Sequence, residues 1–174
     1  MAFGKAFLLS IAAFVGLNFI FTIIYYALGT GFDTMFGTIQ TAPLIILYYL
    51  FGSIFSTPYL ILSNTIFQPL LIGFDLANFL MWLGFLIAPI IAAILAGRFS
   101  ESKGESFGAW TLTAAISTVC VIIAAFLSPT TEGVLTTLYG LLSEQLIIFA
   151  IISLVINIVF YGFFALLLSK IEYY

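Results

Sequence analysis

Four polar side chains lie in and beside an interrupted hydrophobic segment, and their types are suited to binding a solute: Asn64, Gln68, Asp75 and Asn78. In transporters such groups stand beside the ends of discontinuous membrane helices. Each also has a simpler explanation, because an amide in a bilayer commonly hydrogen-bonds a neighbouring helix and Asp75 directly precedes a long apolar stretch, as a helix cap would. We interpret Asp75 first as a cap, and all four as candidate solute-binding or pore-lining residues.

The chain has little else with which to perform catalysis. It contains no His, and its single Cys, Cys120, lies within an apolar stretch. These counts exclude acid–base catalysis by His, zinc sites built from Cys and His, and His-ligated haem. Asp33 and Asp75 are the only aspartates, and neither lies inside a hydrophobic stretch, where an intramembrane aspartyl protease would need both. We therefore expect no enzymatic activity, no cofactor and no metal site.

The composition indicates that most of the chain is surrounded by lipid. Of its 174 residues, 64% are hydrophobic and 6% are charged, whereas soluble domains carry about 25% charged residues. The net charge of −3 leaves no basic surface for nucleic acid. We predict an all-α polytopic membrane protein that forms a single integral membrane domain over residues 1–174 and has the lipid bilayer as its first partner.

Four apolar stretches are each long enough to cross a bilayer, which takes about 20 helical residues. They cover residues 6–28, 76–97, 107–127 and 146–169. The second and third stretches are joined by a short polar run, residues 98–106, and therefore predict a helical hairpin.

Small side chains recur every four residues along both helices of this hairpin. This spacing places them on one face of each helix, where another backbone can approach closely. The predicted helix-packing residues are Gly84, Ala88, Ala92 and Ala96 on the first helix and Thr113 and Ser117 on the second. We expect the two faces to meet.

The hydrophobic segment over residues 43–75 is interrupted by Pro58 and admits two interpretations. Proline cannot donate a backbone hydrogen bond, and it disfavours an unbroken helix. In the first interpretation, residues 44–62 form one kinked span and residues 64–74 form a short interfacial piece. In the second, residues 43–56 and 59–74 form two half-helices of a hairpin that returns to the side from which it started.

The distribution of basic residues favours the hairpin, because cytoplasmic loops carry an excess of Lys and Arg. With a hairpin, all the basic residues of the chain lie on one side: Lys5, Arg98, Lys103 and Lys170. A single span would separate Lys5 from the other three. In both interpretations the 98–106 loop and the C-terminus are cytoplasmic, and we expect the protein in the cell membrane.

Two further connections have distinct patterns. Residues 29–42 contain three glycines and are expected to form a loop. Residues 128–145 predict a short amphipathic helix at the membrane surface. Its apolar face would consist of Val134, Leu135, Leu138, Leu141 and Leu142. Because it carries no Lys or Arg, we expect this helix to pack against protein.

With so few ionisable groups, we expect the chain to be a non-catalytic subunit, structural or accessory, of a larger membrane protein complex. The alternative is a small channel or solute-binding transport component whose site is the broken segment, residues 56–78.

Two further amides within predicted spans, Asn18 and Asn157, are expected to hydrogen-bond between helices.

Overall fold

The computed structural model describes residues 2–169, which form helices and no β-strand. The helices are α1 (Ala2–Leu28), α2 (Phe32–Thr41), α3 (Ile45–Phe51), α4 (Pro58–Leu62), α5 (Gln68–Leu71), α6 (Leu76–Arg98), α7 (Lys103–Leu127), α8 (Pro129–Tyr139) and α9 (Leu146–Leu167). Four of them, α1, α6, α7 and α9, are long and apolar enough to cross a membrane. The predicted all-α polytopic membrane fold is confirmed. Lys170 and the C-terminus, expected to be cytoplasmic, lie outside the described residues.

Helices α1 and α6 pack against each other in opposite directions. Gly29, which follows α1, lies beside Ala77 in the first turn of α6. At the other end of the pair, the Lys5 ammonium lies 5.2 Å from the centre of the Phe99 ring, which directly follows α6. The chain therefore leaves α1 and enters α6 at the same end of the bundle.

The two ends of the bundle differ in charge. The end that contains the α6–α7 turn carries Lys5, Arg98 and Lys103, and we call it the basic end. The opposite end, which we call the acidic end, carries four carboxylates and, among residues 2–169, no Lys or Arg. These carboxylates belong to Asp33, Asp75, Glu132 and Glu144.

The segment between α1 and α6 enters the bundle and returns. Its two halves, Ile45–Phe55 and Pro58–Leu71, are bent by 95° at the break between them. Because the segment begins and ends at the acidic end, the structure agrees with the hairpin interpretation and not with a single kinked span. We call residues 45–71 the re-entrant hairpin.

Two extended residues and a proline cause the break. Ser56 and Thr57 have ψ angles of 118° and 154°, which end the first half, and Pro58 takes the first position of α4. Proline is favoured there because its fixed φ suits a helix and its missing N–H would be unpaired anyway. The Thr57 hydroxyl caps the new helix by accepting a hydrogen bond from the Leu60 N–H at 3.4 Å.

A second proline widens the returning half. Residues Ser63–Phe67 form one turn of π-helix directly before α5. Pro69 has no N–H to donate to the Thr65 carbonyl and its ring crowds that carbonyl, so a wider turn relieves the clash. Such turns recur at functional sites, and this one carries Asn64.

The tip of the re-entrant hairpin lies deep in the bundle, against the middle of α9. Asn157 donates from Nδ2 to the Ile54 carbonyl at 2.6 Å and to the Ser56 carbonyl at 3.4 Å. The expectation that Asn157 bonds between helices therefore agrees with the structure. Asn18 differs, because its amide donates to the Phe14 carbonyl within α1.

The predicted helix-packing residues are all buried: Gly84, Ala88, Ala92, Ala96, Thr113 and Ser117. We expected the faces that they form to meet each other, but both faces pack against α1. Gly84 lies directly against Phe21 of α1, and Thr113 donates to the Ser10 hydroxyl of α1 at 3.1 Å. Helix α1 has small residues of its own and packs against both helices of the predicted pair.

Residues 29–42 are not the loop that we expected, because they contain helix α2. Met35 is buried and Ile39 packs against the core, so α2 has an apolar face that Gly37 and the threonines of the helix obscure in the sequence. Burial of this face outweighs the weak helix propensity of the segment. The helix begins after Gly31, whose φ of 88° glycine adopts without strain.

Helix α8 is shorter than the predicted helix over residues 128–145. It ends at Gly140, which has a φ of 63°, the left-handed conformation typical of a helix C-terminus. Leu135 is fully buried within the chain, whereas Leu142 lies beyond the helix and is 60% exposed.

Candidate functional site

The four polar residues predicted as solute-binding or pore-lining groups surround one open cavity of about 190 Å³. Asn64 and Gln68 come from the returning half of the re-entrant hairpin, whereas Asp75 and Asn78 come from the start of α6. The remaining lining residues are Pro69, Ile72, Gly73 and Phe79. We call this space the amide cavity, and it lies at the acidic end.

Asp75 caps α6, as its position in the sequence indicated. Its Oδ1 accepts hydrogen bonds from the N–H groups of Ala77 at 2.9 Å and Asn78 at 3.3 Å. Its Oδ2 accepts from the Asn78 side-chain amide at 2.7 Å. Capping and lining the cavity are therefore compatible, because the side chain does both.

The two amides of the returning half contribute acceptor and donor groups to the amide cavity. Asn64 donates from Nδ2 to the Leu60 carbonyl at 2.8 Å, a bond that fixes the side chain and leaves Oδ1 as an acceptor. Gln68 is exposed and lines the same cavity. With the carboxylate of Asp75, the cavity is rich in acceptor oxygens, which suits a solute that donates hydrogen bonds.

A second cavity of about 220 Å³ lies between α1, α3, α6 and α8 at the same end of the bundle. We call it the tyrosine cavity, because four tyrosines line it: Tyr25, Tyr26, Tyr48 and Tyr49. Thr22 and Asn78 add neutral polar groups, and the apolar part of the lining is Met81, Phe85, Val134 and Leu138.

Direct contacts fix the positions of the tyrosine side chains. The hydroxyl groups of Tyr26 and Tyr49 are 2.7 Å apart and hydrogen-bond each other. The Thr22 hydroxyl donates to the Tyr49 carbonyl at 3.3 Å. Tyr48 lies over Gly52, where a Cβ atom would come within 2.6 Å of the Tyr48 ring, so glycine at this position permits the observed packing.

Asn78 lines both cavities. Its side chain is held by Asp75, the nearest carboxylate in the sequence. All residues that line the tyrosine cavity are neutral. The hydrogen bond between Asp75 and Asn78 places a negative charge next to this neutral wall.

The tip of the re-entrant hairpin is fixed to α8 as well as to α9. The hydroxyl groups of Ser56 and Tyr139 are 2.7 Å apart. Because Ser56 lies at the break and Tyr139 at the end of α8, this hydrogen bond is a structural contact between the two elements.

The four residues of the amide cavity were candidates from the sequence, although their convergence was not predictable from it, and the tyrosine cavity was missed. The two Tyr-Tyr pairs were the available signal, and the pair at residues 25–26 also fits an interfacial aromatic belt. The two pairs line one cavity only because α3 packs against the end of α1, which the sequence does not show. Among residues 2–169, no group of three or more His, Cys, Asp or Glu side chains is placed to hold a metal ion.

Comparison of the chain with protein-family models, with curated proteins and with solved structures finds no match. The functional proposals that follow rest on the geometry and chemistry of the chain's own residues.

Proposed function

We propose that this protein is a non-catalytic, solute-binding component of a membrane, and that a solute binds first in the amide cavity. The proposal is carried by the meeting of Asn64, Gln68, Asp75 and Asn78 around one open cavity. Transporter binding sites are typically formed where membrane helices are discontinuous. Here the amide cavity lies between the π-helical turn Ser63–Phe67 and the start of α6, whereas the break at residues 56–58 is satisfied separately by Asn157.

The charge of the two ends supports an orientation for the site. The positive-inside tendency favours a cytoplasmic location for the basic end, with Lys5, Arg98 and Lys103. In the cell membrane, the acidic end and both cavities would then open away from the cytoplasm. This arrangement suits capture of a solute from outside.

Screening of the purified protein tests the proposal. Thermal stability in detergent would be measured with a panel of amines, amino acids, sugars and inorganic ions. We expect at least one solute to stabilise the wild type, since a ligand that binds only the folded state raises its stability. The Asn64→Leu, Gln68→Leu double variant should lose that effect. Gln40→Leu, which replaces an exposed amide on α2, is the matched control and should keep it.

A panel that stabilises neither the wild type nor the Gln40→Leu control would contradict the proposal. So would a panel in which every stabilising solute acts equally on the wild type and the double variant, because the amide cavity would then have no part in binding.

A second candidate function is that of an accessory subunit in a larger membrane complex. It is favoured by the apolar surface at the end of the re-entrant hairpin, where Leu70, Leu71 and Ile72 are 77%, 84% and 82% exposed. Such a surface faces either lipid or another subunit. Purification from native membranes in a mild detergent should recover partner polypeptides in fixed ratio if this function is correct, and the protein alone or as a homo-oligomer if it is not.

A further inference from the structure

We infer that the tyrosine cavity binds an organic ammonium ion, a nitrogen cation that carries alkyl groups. This inference rests on the proposed solute-binding function and specifies the chemical class of the solute. It follows from the arrangement of aromatic rings, the absence of charge from the wall and the carboxylate of Asp75 beside Asn78.

The tyrosine rings are steeply inclined to one another, so they form a concave wall and not a stack. The ring centres of Tyr25 and Tyr26 are 5.3 Å apart at an angle of 80°. Tyr26 and Tyr49 are 5.6 Å apart at 67°, and Tyr48 and Tyr49 are 6.3 Å apart at 58°. Inclined rings present π faces in several directions. Such a cage binds alkylammonium ions, because the negative face of each ring attracts the cation.

The wall contains no charged residue that would compete with or repel a cation. Every lining residue is neutral, and the acidic end has no Lys or Arg among residues 2–169. Asp75 adjoins the cavity through its hydrogen bond with Asn78. The carboxylate beside Asn78 therefore attracts a cation, and the wall provides aromatic surface for its alkyl groups.

The size and chemistry of the cavity restrict the cation further. Its volume of about 220 Å³ is below the roughly 300 Å³ at which pockets for drug-sized ligands begin, so the ligand has few heavy atoms. A bare metal ion would need several oxygen ligands in a defined geometry. A wall that is mostly aromatic and aliphatic suits a cation with its own apolar surface.

Contacts among the protein's own residues also hold the cage in shape. The Tyr26–Tyr49 hydrogen bond, the Thr22–Tyr49 hydrogen bond and the packing of Tyr48 over Gly52 hold the rings in position. Preorganisation lowers the entropy cost of binding, so weak individual attractions can sum to measurable affinity.

Calorimetric titration of the full-length protein in lipid nanodiscs tests this assignment. The probes are choline and its uncharged carbon analogue, 3,3-dimethylbutan-1-ol, which has nearly the same shape. We expect choline to bind at least tenfold more tightly than the alcohol. Tetramethylammonium, which lacks the hydroxyl group, should also bind more tightly than the alcohol.

Tyrosine variants identify the groups responsible. Tyr25→Leu and Tyr48→Leu remove a π face and should each weaken choline binding at least fivefold, whereas Tyr25→Phe and Tyr48→Phe keep the face and should stay within about twofold. Tyr25 is only partly buried, so its variants remain informative if Tyr48→Leu does not fold. Tyr59→Leu, at a tyrosine that is 76% exposed, is the control and should bind like the wild type.

The outcomes separate this inference from the proposed function. Equal affinity for choline and the alcohol, or unchanged choline affinity in the Leu variants, would overturn the ammonium assignment. Either of these results, together with a neutral solute that stabilises the wild type and loses its effect in the Asn64→Leu, Gln68→Leu variant, would overturn the assignment but retain solute binding. Failure of every probe and panel member to bind would overturn both.

Discussion

The side-chain amide of Asn157 replaces the backbone N–H that Pro58 lacks. In an unbroken helix the residue at position 58 would donate to the Ile54 carbonyl, four residues earlier, and proline cannot. Asn157 donates to that carbonyl instead, at 2.6 Å. A break that would leave an unpaired carbonyl in the bundle thereby becomes a fixed contact with α9.

Removing this amide should destabilise the fold. Asn157→Leu leaves the Ile54 carbonyl buried without its donor, and we expect the free energy of unfolding in mixed micelles to fall by about 1–3 kcal/mol. Asn18→Leu is the matched control. Asn18 is also buried, but its side-chain amide donates only to the Phe14 carbonyl within its own helix. Loss of stability in Asn18→Leu as large as in Asn157→Leu would contradict the importance of the contact.

A methyl group at Gly97 should also be costly. The Cβ of an alanine there would collide with the backbone carbonyl of Ala165 in α9, which no side-chain rotation can relieve. We expect Gly97→Ala to lower the unfolding free energy by roughly 1–3 kcal/mol. Gly16→Ala, in α1, meets no atom within 4 Å and should be neutral or stabilising by up to about 1 kcal/mol. Equal effects of the two variants on SDS-induced unfolding would refute the close approach of α6 and α9.

Substitutions of Asp75 separate its cap from its charge. Asp75→Asn keeps an oxygen that can accept from the Ala77 N–H, and asparagine is as good a cap as aspartate, so stability should change by only a few tenths of a kcal/mol. Asp75→Ala should lose roughly 0.5–2 kcal/mol. Choline affinity should fall in both variants, because both remove the carboxylate charge beside Asn78. The prediction fails if choline affinity is unchanged in Asp75→Asn.

Much of this fold follows from the sequence because spans in lipid need long apolar stretches. The spans over residues 76–97 and 107–127 match α6 and α7 to within a few residues. Helix α2 was missed because the three glycines of residues 29–42 suggested a loop. The helix is stabilised by tertiary packing of Met35. The spacing of small residues marked buried positions correctly but did not show which helix packs against them. Gly84 lies against Phe21 of α1 and not against α7 as we expected.

The two cavities differ in how visible they are in the sequence. Asn64, Gln68, Asp75 and Asn78 lie within one short stretch, so a single turn of the chain brings them together. Tyr26 and Tyr49 come from helices that are distant in sequence, and their hydroxyl contact depends on the re-entrant hairpin entering beside α1. Local pattern therefore marks the first group of residues as candidates and not the second, and it shows the meeting of neither.

Accessibility of single cysteines tests the return of the re-entrant hairpin most directly, because the amide cavity exists only if residues 45–71 start and finish at the acidic end. In a Cys120→Ala background, cysteine would be placed at Gly4, Gln40, Gln68 or Glu101, all exposed, and labelled in intact cells with an impermeant maleimide. We predict that Gln40→Cys and Gln68→Cys label from one side of the membrane and that Gly4→Cys and Glu101→Cys label only from the other. Labelling of Gln40→Cys together with Glu101→Cys, and opposite to Gln68→Cys, would mean that the segment crosses the membrane, and it would contradict the hairpin and both proposals that depend on it.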